Sequence, residues 1–396
     1  MAMLTDEQLS NLKLYKYSSI DKSFLSRYIL RHYWDVCIDF FPLNMAPNLI
    51  TLTGLMFIIF NVILVFIFVP TMEAEDAGPA WIYFSFALGL WLYSTFDNVD
   101  GRQARRTGSS SPLGELFDHG CDAINCSFAS IIQMSALGLG HTKNAVVIYL
   151  IATTGFYLST IEEYHTGTLY LGYVNVPTEG VCILCVMYVI SGLYGPMIWK
   201  TPLVSIFDSL PSFMRELTLT DAYIWFIGIM FLLTHVPVCF YAMYKACRQK
   251  GKPFIRSMLY DNWQISLYTV SFYLWVTSPY SFILSHQHYA IYLLAVGIVF
   301  GRICSKIILA HLTKSESPLP TGLLIPLVLG AIIANLPAYT NMEPIFTPQS
   351  EFVYLVCYFV LALVLYLRWA VLVIDSICNY LGIRCLVIPD QHAKFQ

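Results

Sequence analysis

The sequence predicts an all-α polytopic membrane protein, with about ten transmembrane helices and an amphipathic helix in the membrane interface near the N-terminus. Three observations predict it. The 396 residues are 57% apolar and 15% aromatic but only 12% charged, whereas a soluble domain carries roughly a quarter charged residues. Ten stretches stay apolar over about the 20 residues that a hydrocarbon core of about 30 Å requires. Nineteen of the 22 lysines and arginines fall on alternate connections, on the halves of the spans that lead into them, or on the two terminal segments, leaving only Lys143, Lys200 and Arg215 on the others. That bias places the basic side in the cytosol. A formal net charge of −3 argues against a nucleic-acid partner, which needs a basic face.

Taken in order, residues 1–48 form a cytosolic or interfacial segment, charged throughout and without the early apolar run of a signal peptide. Between Phe24 and Phe41, apolar and aromatic residues mix with Arg27, Arg31, Asp35 and Asp39. This suits a helix lying in the interface, or a cytosolic helix packed on the domain. Spans follow at about 50–70, 80–98, 112–137, 144–162, 178–198, 221–244, 260–281, 288–311, 318–337 and 351–374. No internal repeat of the kind that marks many transporters is visible. Cys182 and Cys185 form a C-x-x-C without a second pair and read as packing residues rather than a zinc or redox pair. The sequon Asn125-Cys126-Ser127 falls in an apolar helix, where glycosylation cannot reach it.

The chemistry concentrates between residues 97 and 122. Asp97 and Asp100 close the second span about 60° apart on a helix. Gly101 is expected to let the chain break, Arg102, Arg105 and Arg106 to line a short loop, and Pro112 to open the third helix. On that helix Glu115, Asp118, His119 and Asp122 fall within an arc of about 100°, with Gly114 on its flank. Unpaired acids in an apolar setting repel one another and resist burial. Divalent cations resolve the conflict, and hard oxygen ligands favour Mg²⁺, Mn²⁺ or Ca²⁺ over zinc. Two such ions about 3.5–4 Å apart can clamp the oxygens of an in-line displacement. Arginines suit phosphate recognition, although Arg102 and Arg106 also fit the basic flank of any cytosolic helix end. A cation transporter would spread polar residues through the full bilayer depth, whereas these acids gather at one side.

The string D-x2-D-G-x2-A-R-x8-G-x3-D-x3-D, met here by Asp97, Asp100, Gly101, Ala104, Arg105, Gly114, Asp118 and Asp122, is the signature of the CDP-alcohol phosphotransferases. The chain resembles that family at every fixed position. The flanking runs Pro47-Asn48-Leu49-Ile50-Thr51 and Pro112 to Gly120 resemble its eukaryotic choline and ethanolamine phosphotransferase branch.

The resemblance implies transfer of phosphocholine or phosphoethanolamine from CDP-choline or CDP-ethanolamine to diacylglycerol, with release of CMP. It implies two Mg²⁺ per site, replaceable by Mn²⁺, held by Asp97, Asp100, Asp118 and Asp122. Gly101, Ala104 and Gly114 would leave room for the CDP-alcohol, Arg105 would contact phosphate, and Asn48 and Thr51 would contact the cytidine or ribose unless they merely form the helix entry. Asp122 and His119 are the alternatives for the general base. A carboxylate on a metal loses basicity, and histidine chemistry suits a base near neutral pH. Glu115, four residues before His119, would orient the ring. Glu115, Glu179 and the acids of a loop expected at Ile161–Thr166 are candidates for acceptor or head-group contacts. His235, His286, His288 and His311 receive no role. The expected organisation is a six-helix catalytic core over 49–245, four further membrane helices over 246–375 for dimerisation or lipid packing, and a cytosolic tail over 376–396. The setting implied is the endoplasmic reticulum membrane or the Golgi, multi-pass among membrane lipids, as a homodimer with the site facing the cytosol. Another alcohol acceptor remains the alternative within the family.

Overall fold

The computed structural model describes residues 4–207, 210–340 and 342–388. The chain folds as α1 (Asp6–Asn11), β1 (Ser19–Asp21), α2 (Arg31–Cys37), α3 (Pro47–Phe68), α4 (Ala80–Thr107), α5 (Pro112–Ala136), α6 (Lys143–Thr166), β2 (Leu169–Leu171), α7 (Val181–Tyr194), α8 (Leu219–Met230), α9 (Val236–Gln249), α10 (Phe254–Val276), α11 (Tyr289–Leu312), α12 (Leu324–Tyr339) and α13 (Pro348–Leu381). A wide turn at 176–180 continues into α7, and another joins α8 to α9 in one helical run. Each stretch predicted as a span overlaps one of these helical runs. Six of the runs are long and apolar enough to cross a bilayer: 47–68, 143–166, 176–194, 219–249, 289–312 and 348–381. α12 is apolar but only 16 residues long.

Two local expectations are corrected. Gly101 does not break its helix, since α4 runs on for 28 residues and stops only at Gly108, which takes a left-handed φ of 65°. One glycine inside a helix costs only about 1 kcal/mol against alanine, and the packed length of α4 outweighs that. The loop expected at Ile161–Thr166 is instead the last turns of α6, with Glu162, Glu163 and His165 buried. α5 opens as expected, with Pro112 in its first turn and Ser111 accepting the Gly114 N–H. α9 reaches Gln249 and α13 reaches Leu381. Most of the tail beyond residue 388 lies outside the described residues.

α11 sits at the centre. Apart from Arg302, Lys306 and His311 it is almost wholly buried, as an interior helix is, and it packs along α5, α13 and α6. α3 lies against α4 and α5, and α4 against α7. The N-terminal segment folds back over this bundle. β1 pairs in parallel with β2, Ser19 opposite Leu169. Residues 26–40 are helical; Leu30 and Trp34 are buried against Val99, while Tyr28, Ile29, Val36 and Phe40 stay exposed. Arg102 bonds Asp35 of α2 at 3.1 Å and Arg106 approaches Asp39 at 4.0 Å, so the N-terminal helix occupies these two arginines.

At the far end of α5 the chain turns through Gly138, at a φ of 60°, where an added Cβ would lie 2.4 Å from the Ala74 Cβ. Left-handed backbone costs a side-chain-bearing residue about 1–2 kcal/mol, and overpacking adds about 1–3 kcal/mol. Gly138→Ala should therefore lower the thermal unfolding midpoint in detergent by several degrees. An unchanged midpoint would show that the 71–76 connection gives way freely.

Candidate active site

Carboxylates from two neighbouring helices converge. Asp97 on α4 and Asp118 and Asp122 on α5 each offer an oxygen within 4.8 Å of the others. Asp97 Oδ1 and Asp118 Oδ1 are buried without a hydrogen-bond partner. Asp100, one turn beyond Asp97, is buried and accepts a hydrogen bond from the Thr51 hydroxyl of α3. Asp122 accepts one from the Tyr93 hydroxyl. Tyr93 precedes Asp97 by one turn, so a single face of α4 both supplies a carboxylate and positions another. Buried carboxylate oxygens with no donor are costly. A set of hard oxygens so arranged fits a divalent cation.

Beside this cluster lies a second. His119 Nδ1 faces Glu163 Oε2 of α6 at 3.6 Å. Glu163, Glu115 and His311 also bring one polar atom each within 4.8 Å of one another. Glu115 does not bond His119 as expected. Its Oε2 accepts the Tyr15 hydroxyl at 2.6 Å, and its Oε1 lies 4.0 Å from His311 Nε2, buried and without a hydrogen bond. Burial, followed by the Glu115 carboxylate, pushes the Tyr15 hydroxyl far above its ordinary range, so Tyr15 stays a donor. The N-terminal segment thus hangs over the acids.

Other predicted residues find varied places. A Cβ added at Gly101 would meet only Arg105 Nη1, at 3.6 Å, so open space lies before it. Ala104, one residue from Arg105, is half-buried. Arg105 is exposed and, among the described residues, makes no ion pair. Asn48 donates to the Cys385 carbonyl at 3.0 Å, and a Cβ at Gly114 would lie 3.8 Å from Asn48 Oδ1. Glu179 is not brought to the cluster. Its carboxylate accepts Ser23 Oγ at 2.6 Å, the Leu25 N–H at 3.2 Å and the Asn175 N–H at 3.0 Å, which holds the N-terminal segment in place.

Sequence reasoning missed Glu163 as the partner of His119, together with Tyr93, Tyr15 and His311. Tyr93 carried a signal, being four residues before Asp97 on the same helix face. Glu163 would have stood out had the fourth span been drawn four residues longer, as an acid inside a membrane helix. Tyr15 and His311 carried none, because their proximity is purely tertiary.

Comparison with known proteins identifies the family. The family model described as CDP-alcohol phosphatidyltransferase matches residues 44–207. The chain is 34% identical to the Arabidopsis thaliana protein named choline/ethanolaminephosphotransferase 1, over 96% of this chain and 97% of that protein. It is 37% identical to cholinephosphotransferase 1 of Saccharomyces cerevisiae over 80% of each chain. It is 30% identical to human ethanolaminephosphotransferase 1, over 86% of this chain and 85% of that one.

Proposed function

Because this chain belongs to the CDP-alcohol phosphatidyltransferase family, we propose that it moves phosphocholine or phosphoethanolamine from the CDP-alcohol to the hydroxyl of diacylglycerol, releasing CMP. One observation carries the reading: unpartnered buried carboxylate oxygens on α4 and α5 stand beside a histidine backed by a carboxylate.

Asp97, Asp100, Asp118 and Asp122 would hold two Mg²⁺, or Mn²⁺ in their place. Bound there, the ions supply positive charge to the pyrophosphate and to the leaving CMP oxygen. Every other task falls to side chains. Arg105 reaches the phosphates from the exposed end of α4, and the space before Gly101 admits the nucleotide. Glu163 holds the His119 ring through Nδ1, which leaves Nε2 to take the acceptor's proton. The acceptor oxygen then bonds the phosphorus nearest the alcohol, and the bond from that phosphorus to the bridging oxygen breaks. The protein contributes position and charge rather than covalent chemistry.

Ten membrane-crossing helices, an interfacial helix at residues 26–40 and a cytosol-facing site in the endoplasmic reticulum complete the reading. The positive-inside charge bias supports it, as do the exposed apolar residues of the N-terminal helix. The core at 49–245 would share its site with α11, which brings His311 to Glu115.

The test is CMP release by the purified protein in detergent with Mg²⁺ and diacylglycerol, measured separately for CDP-choline and CDP-ethanolamine. Release from at least one is expected; release from neither overturns the reading. Thr51→Val removes the donor to Asp100. Loss of such outer contacts costs about 10–100-fold in metal affinity or activity, so the Mg²⁺ concentration at half-maximal rate should rise by that factor. An unmoved Mg²⁺ curve would place Asp100 outside the metal set.

A further inference from the structure

A cavity of about 530 Å³ opens between α11, α13 and the turn before α12, remote in the chain from the signature. Its lining is almost wholly apolar except for two arginines. Arg302 of α11 and Arg368 of α13 enter it together with Trp369, Leu361, Leu365 and Leu372. Arg302 is held in place: its Nη1 donates to the Leu365 carbonyl at 2.9 Å, and its guanidinium lies 5.0 Å from the Trp369 ring centroid. Its Nε is buried and has no hydrogen-bond partner. Lys306, one turn further along α11, donates to the Leu319 carbonyl. Among the described residues no carboxylate pairs with Arg302, Lys306 or Arg368.

Three cations without a counter-ion, beside an apolar slot on a membrane protein, call for an anion that carries its own hydrocarbon. The depth agrees. α12 starts immediately after the 321–323 turn that lines the cavity. The start of a membrane helix marks the boundary between hydrocarbon and head groups, where basic side chains meet lipid phosphates. From there Leu365 and Leu361, both exposed, continue away from the arginines along α13, as an acyl chain would. We propose that this cavity is a binding site for an anionic glycerophospholipid, with its phosphate between Arg302 and Arg368 and one acyl chain along Leu361 and Leu365. The site is separate from the acid cluster, and the proposal stands whatever reaction that cluster performs. Diacylglycerol, which lacks a phosphate, does not answer the charge.

The experiment uses the full chain in nonionic detergent, with dioleoyl phosphatidic acid as probe and dioleoyl phosphatidylcholine and diolein as competitors. Retention is read by native mass spectrometry and by the rise in unfolding midpoint. Phosphatidic acid should bind and raise the midpoint, more weakly as salt is added. Arg368→Gln, at an exposed position that leaves packing intact, should weaken binding about fivefold, and the pair Arg302→Gln and Arg368→Gln about 30-fold. Equal retention by wild type and the Arg368→Gln protein would overturn the proposal. So would displacement of phosphatidic acid by equimolar diolein, which would make the occupant neutral, or by phosphatidylcholine, which would remove the requirement for net charge.

Discussion

Asp118→Asn should lower turnover by about a thousandfold or more while raising the unfolding midpoint of the metal-free protein. The two effects share one cause. Asp118 Oδ1 is buried without a donor, among oxygens of Asp97 and Asp122 within 4.8 Å. Without metal, three like charges crowd one volume, and a neutral amide of the same shape relieves the repulsion. With metal, that charge is what binds, and losing several kcal/mol of charge stabilisation corresponds to about a thousandfold in rate. The midpoint should then no longer rise when Mg²⁺ is added, because only a folded-state ligand stabilises. Turnover by CMP release and thermal unfolding with and without Mg²⁺ check both halves. An active variant would remove Asp118 from the site, and a variant that keeps the full Mg²⁺ response would remove the metal from Asp118.

The second large effect concerns the proton. His119→Gln should reduce the maximal rate about 10²–10⁴-fold, the usual worth of a positioned general base, with the CDP-alcohol KM little changed. Glu163→Gln should cost less, since Glu163 acts only through the ring it faces at 3.6 Å. The decisive measurement is the double variant. If Glu163 serves His119, removing both should be no slower than removing His119 alone, because groups acting as a unit are non-additive. Fully multiplicative losses would mean separate roles. A near-normal rate in His119→Gln would return the proton to Asp122.

The sequence declared what is local. The convergence of Asp97, Asp118 and Asp122 was legible because fixed gaps on helices translate directly into shared faces, and acids beside long apolar runs are too costly to be incidental. The positions of the long helices were legible because a bilayer demands length and apolarity together. What failed was local in another sense. Gly101 looked like a break, but packing along 28 residues overrode its weak preference. The end of α6 looked like a loop because Glu162, Glu163 and His165 are polar, yet each is buried and faces a partner from elsewhere, as His165 faces Asp261 at 3.2 Å. Glu115 was matched to His119 on helical spacing alone, and tertiary structure gave it Tyr15 and His311 instead. No periodicity reports a contact between residues 15 and 115, or between 115 and 311.

That spread has a consequence in time. A ribosome delivers the chain at about 5–20 residues per second, so α4 and α5 reach the membrane well before residue 311 is made. During that interval Glu115 lacks His311, and α5 lacks the helix that packs along it. The acids therefore exist as a half-built site until α11 slides in beside them. A nascent chain halted before residue 289 would carry the entire signature and still leave that flank of α5 open.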